Sequence, residues 1–70
     1  MQDLREKAVI YFVKEFKLLK EYKTQYGSGS SVYMMKADKI TGAFELAQSL
    51  GLISYDEYTN LRLEYFHSKS

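Results

Sequence analysis

Apolar residues return every third or fourth position along most of the chain, in stretches separated by short runs rich in Gly and Ser. Leu4, Ala8, Tyr11, Phe12, Phe16, Leu19, Tyr22 and Tyr26 form the first such series, the mark of a single helix face. The spacing predicts one long helix over residues 3–26, with Asp3 and Lys7 as a favourable i,i+4 pair on its polar side. Ile10 and Val13 point away from the stripe, and Glu15 falls inside it. Gly27-Ser28-Gly29-Ser30-Ser31 then breaks the pattern, a flexible loop of the kind found between natural helices and in engineered joints alike. The stripe resumes with Ile40, Ala43, Phe44, Ala47 and Leu50, which predicts a second helix over about residues 32–50. Ser31 or Asp38 can serve as its N-cap; if Asp38 does, Val32-Tyr33-Met34-Met35 is a separate segment, extended or helical. Gly42 inside that helix costs about 1 kcal/mol against alanine, which calls for a packing reason such as close helix approach. A last helix over residues 55–67 places Tyr58, Leu61 and Tyr65 inward, Leu63 opposite them and Phe66 at the edge of the face.

The strongest local signal is Leu50-Gly51-Leu52-Ile53-Ser54-Tyr55-Asp56-Glu57-Tyr58. Gly51 can take the left-handed conformation that closes a helix, and Leu52 then falls back on the last turn near Ala47. Ser54 and Glu57 have the spacing of a capping box, with Ile53 and Tyr58 at the staple positions around it. Asp56 and Glu57 also put negative charge in the first turn, where the helix dipole favours it. The expected architecture is all-α: one domain over residues 1–70, a small three-helix bundle whose long N-terminal helix packs on a C-terminal helical hairpin.

Residues 45–66, through Gly51, Leu52, Ile53, Ser54, Glu57 and Tyr58, resemble the helical hairpin of the short C-terminal domains called SHOCT. That resemblance covers about a third of the chain and implies an oligomerisation or interaction element with no catalytic residues to transfer. The same stretch is similar to a DNA-binding helix-turn-helix, since Ala47 and Gly51 have the spacing of that motif's small residue and turn glycine. It departs from the motif at Ile53, an extra residue in the turn, and at Tyr55-Asp56-Glu57. Acids there would face bases and phosphates, and Arg62 is the helix's only basic residue before the tail.

Composition narrows the function classes. An apolar content of 46% beside 27% charged residues is that of a folded chain, and a formal net charge of +1 gives no mandate for nucleic acid, acidic substrate or anionic membrane. With no cysteine, neither a disulfide framework nor a thiolate metal site is available. His67, the single histidine, lies near the end of the chain without companions for a metal site, so no metal and no cofactor are expected. No stretch approaches a membrane span or a secretory signal, and the expected location is cytoplasmic. A domain this small without staples often gains stability by oligomerising.

Four sets of residues carry the functional expectations. Lys14, Lys17, Lys20 and Lys23 recur every third residue and read as a phosphate-binding ridge or, on the blander reading, as solvated flanks of a core face. Glu15 within an apolar stripe reads as a structural acid, with Arg62 on the last helix as the expected partner across the core. Gly51, Ser54 and Glu57 are explained by capping. Seven tyrosines and four phenylalanines exceed what so small a core can bury. Ile10, Val13, Tyr33, Met34, Met35, Tyr55 and Phe66 are therefore the expected interface, because tyrosine and methionine suit recognition patches. The expected function is a small non-enzymatic interaction protein that binds a protein partner or itself. The alternative is a nucleic-acid-associated regulator using the first-helix lysines.

Overall fold

A computed structural model describes residues 3–67, and its described residues form three helices and no strand. Helix α1 runs Leu4–Tyr26, α2 runs Ser31–Ser49 and α3 runs Tyr55–Tyr65. Asp3 caps α1 by accepting the Arg5 backbone N–H at 2.7 Å, and Gly27, at φ 87°, ends it by donating to the Lys23 carbonyl. Helix α2 starts earlier than expected. Ser30, rather than Ser31 or Asp38, is its N-cap, its hydroxyl accepting the Tyr33 N–H at 3.2 Å. Val32–Met35 is thus the first turn of α2, and the Gly/Ser loop is shorter than the expected 27–31.

The α2–α3 junction forms as its residues require. Gly51 sits at φ 73°, its N–H donates to the Gln48 carbonyl, and the Leu52 N–H reaches the Ala47 carbonyl at 2.9 Å. Ser54 accepts the Glu57 N–H at 3.1 Å while the Glu57 carboxylate accepts the Ser54 N–H at 3.0 Å, completing the capping box. Helix α3 closes two residues before the expected end. The Phe66 and His67 amides both turn back to the Arg62 carbonyl, so the chain curls over the last turn instead of extending it.

Helix α1 packs against both α2 and α3. Contacts along the helices set their directions: Arg5 meets Glu57 and Lys17 meets Tyr65, so α1 and α3 run the same way. Tyr33 meets Phe66 and Phe44 meets Tyr55, so α2 runs opposite to both. Phe12, Phe16, Leu19, Ile40, Phe44, Ala47, Ile53 and Tyr58 are the buried cluster. Tyr58 is its hub, with ring centroids 5.5 Å from Phe12, 5.4 Å from Phe16 and 3.9 Å from Phe44. Burial pushes the Tyr58 phenol up, an effect that the nearby Arg62 charge and Thr41 hydroxyl oppose.

The packing departs from expectation at the α1 stripe and at Gly42. Of the eight α1 stripe positions, Phe12, Phe16 and Leu19 are buried, whereas Leu4, Tyr11 and Tyr26 are exposed. The stripe spans more of the helix circumference than one seam can cover, so its edge falls outside the core. Gly42 is exposed, and a Cβ built on it would meet nothing within 4 Å, so no helix approaches closely there.

Candidate interaction surface

The expected interface residues do not form one patch. Tyr33 and Phe66 stack on one another, with centroids 6.4 Å apart, and are partly buried against the core. Tyr55 is exposed on α3, its ring 6.3 Å from Phe44. Ile10 is exposed and lines a groove of about 590 Å³ with Asp3, Arg5, Glu6, Val9 and Glu57, on the side of α1 that meets α3; Val13 is half-buried. Met34 and Met35, both exposed, are adjacent on α2 and diverge by about 100° around it.

Met35 differs from the others in facing the α1/α2 seam. With Tyr22 of α1 and with Val32, Lys36 and Lys39 of α2, it lines an apolar groove of about 330 Å³ along the α1/α2 seam. Tyr22 in turn packs edge-on against Tyr26, centroids 5.8 Å apart. Helical periodicity extends both banks. Leu4, Ala8, Tyr11, Glu15, Leu18 and Tyr22 share one side of α1 at three- and four-residue steps, and so do Val32, Met35, Lys39, Ala43, Leu46 and Leu50 on α2. Met35 is 72% exposed, Leu50 64% and Leu46 63%, so the seam carries its apolar residues into solvent.

Leu4, Tyr11, Tyr26 and Val32 are exposed along the same two banks. Sequence reasoning placed only Met35 of the exposed bank residues at an interface. The α2 bank was nonetheless legible as a series at 32, 35, 39, 43, 46 and 50, offset from the buried series at 40, 44 and 47.

Charge on this surface is one-sided. Glu15 pairs with Lys36 across the seam, the two side chains being 15% and 13% exposed. Arg62 is therefore not its partner: Glu15 lies on the α2 side of α1, and α3 packs on the other. The Glu15 charge also helps push up the Tyr11 phenol, behind the larger effect of burial. Beyond Glu15, both banks hold no acid, while Lys7, Lys14 and Lys39 fall on or beside them.

The first-helix lysines are dispersed. Lys17 lies 5.4 Å from the Tyr65 ring centroid and Lys23 5.4 Å from that of Phe66, so each covers an aromatic face of the α3 end. Lys17 and Lys20 share a groove of about 650 Å³ with Glu21, Thr24, Gln25 and Tyr65, while Lys14 lies exposed away from it.

What the fold defines is a class: an all-α bundle of three helices in alternating directions, with an apolar groove on the α1/α2 seam between Tyr22 and Met35. No family model matches the chain, and no curated protein or solved structure does either. Among the described residues no helix is long and apolar enough to cross a membrane, and no three His, Cys, Asp or Glu side chains cluster as metal ligands would.

Proposed function

We propose that this chain is a non-enzymatic protein-interaction module that docks an amphipathic helix of a partner into the α1/α2 seam. The observation that carries the reading is the pair of apolar banks, one on each helix, that no third helix covers. An amphipathic helix presents anchors at the same three- and four-residue spacing, so it can fill such a seam as the missing helix of a four-helix arrangement. Charge selects the partner. A second copy related by two-fold symmetry would bring the surface that carries Lys7, Lys14 and Lys39 against the same basic surface, whereas a helix with acidic flanks is attracted. The resemblance of residues 45–66 to the SHOCT hairpin is in keeping with an interaction role as well.

The test uses a synthetic amphipathic peptide, leucine on one face and glutamate on its flanks, followed by NMR shift changes. Shifts should map to Val32, Met35, Lys39 and Leu46, and a lysine-flanked peptide should bind more weakly. Met35→Glu should weaken binding by about 30-fold, from losing roughly 2 kcal/mol of apolar burial and reversing the favourable charge. Its stability should change by less than about 0.5 kcal/mol, since the side chain is exposed. Shifts confined to another face would overturn the reading. Light scattering showing a dimer that Met35→Glu dissolves would assign the seam to self-association instead.

A second reading rests on the groove that brings Lys17, Lys20 and Tyr65 together, an arrangement that suits a phosphate and a stacked base. Glu21 in the same groove opposes it. Nucleic-acid affinity that falls steeply with salt and is lost on changing Lys17 and Lys20 would support this reading; no binding at low salt would end it.

A further inference from the structure

The α1–α2–α3 interior opens at one end into a cavity of about 180 Å³, separate from the α1/α2 seam. Its lining includes Tyr33, Thr41, Tyr58, Arg62, Phe66 and His67. Arg62 is the unusual member. Its Nε is buried and has no hydrogen-bond partner among the described residues. Both ion pairs between described side chains leave it out, since Glu15 goes to Lys36 and Glu57 to Arg5. The guanidinium instead lies over the Tyr58 ring, 5.9 Å from its centroid.

A half-buried guanidinium with no acid beside it among the described residues presents a planar fork of donors whose best complement is a carboxylate, held through two parallel hydrogen bonds. We infer that this cavity is a binding site for a monocarboxylate carrying a small flat or branched apolar body, with Arg62 holding the carboxylate. The stacked rings of Tyr33 and Phe66 supply an apolar wall for the body. The volume equals that of about six waters, which limits the buried part of the ligand to a single ring or a short branched chain. Such a carboxylate comes either from a small molecule or from the C-terminal residue of another chain.

The experiment titrates the full chain with benzoate, following the Arg62 Nε–H resonance and the amides of Tyr33 and Thr41. Benzamide serves as the neutral control. N-acetylphenylalanine and its amide form the parallel pair that represents a chain end. Benzoate or N-acetylphenylalanine should shift these signals saturably, and the tighter of the two identifies the source. Each amide should bind about ten-fold or more weakly, the loss expected for charge-assisted hydrogen bonds. Arg62→Gln should remove the preference for the carboxylate. Arg62→Lys, which keeps the charge if glutamine there unfolds the chain, should retain only part of it. Equal binding of acid and amide would overturn the inference, as would no saturable shift at about 20 mM. Shifts that map to the Lys17 and Lys20 groove would overturn it too.

Discussion

Exchanging the partner of Glu15 gives the sharpest test of the packing. Its side chain and that of Lys36 are 15% and 13% exposed, so the pair is largely but not wholly withdrawn from water. Removing one member of a fully buried pair costs about 3–5 kcal/mol, because the other is left charged and unpaired. Residual access to water reduces that here, and about 2 kcal/mol is expected for Glu15→Gln or Lys36→Met alone. The double variant Glu15→Leu with Lys36→Met removes both charges together, and its stability should return to within about 1 kcal/mol of the parent. Urea unfolding followed by circular dichroism measures each corner of the cycle. With a slope of about 1 kcal/mol per molar for so small a chain, each single change should lower the midpoint by about 2 M. A parallel cycle between Glu15 and Arg62 should show a coupling below about 0.5 kcal/mol, as expected of residues that do not touch. A coupling to Arg62 that exceeds the one to Lys36 would refute the placement of Glu15 on the α2 side of α1.

Two further outcomes follow from the helices themselves. Gly42→Ala should stabilise the chain by about 1 kcal/mol in thermal or urea unfolding, since the position is helical, exposed and open around a Cβ. A loss of stability would mean that something packs there. Ser54→Ala should cost about 1 kcal/mol by removing the α3 cap. The Glu57 carboxyl is held below its ordinary range, first by the Ser54 backbone N–H, then by the Ser54 hydroxyl and the Arg5 charge. A depressed carboxylate contributes stability that is fully present above its unfolded value and is lost as pH falls through its folded one. The melting temperature should therefore decline below about pH 4.5, and Glu57→Gln should flatten that decline; an unchanged slope would detach the capping box from acid stability.

Local structure was readable wherever neighbours in sequence decide it. The left-handed Gly51, the Ser54–Glu57 box and the ends of α1 depend on contacts within a few residues, so composition and spacing specify them. The start of α2 was ambiguous for the same reason. Ser31 and Asp38 both read as competent caps, and the helix instead starts on Ser30, whose hydroxyl accepts the Tyr33 N–H.

Three-helix order, the core residues Phe12, Phe16, Ile40, Phe44 and Tyr58, and the joint between α2 and α3 are thus written in periodicity and capping, because both act over short distances. Partnership across helices is not. Glu15 and Arg62 both sit near inward faces, and periodicity gives each an angle on its own helix without saying which neighbour lies at that angle. Packing α2 on one side of α1 and α3 on the other gave Glu15 to Lys36 and left Arg62 in a cavity that holds no acid among the described residues. The same choice split the broad α1 stripe into a buried line and an open seam. A face becomes core or surface only when another helix covers it, and that depends on the whole fold.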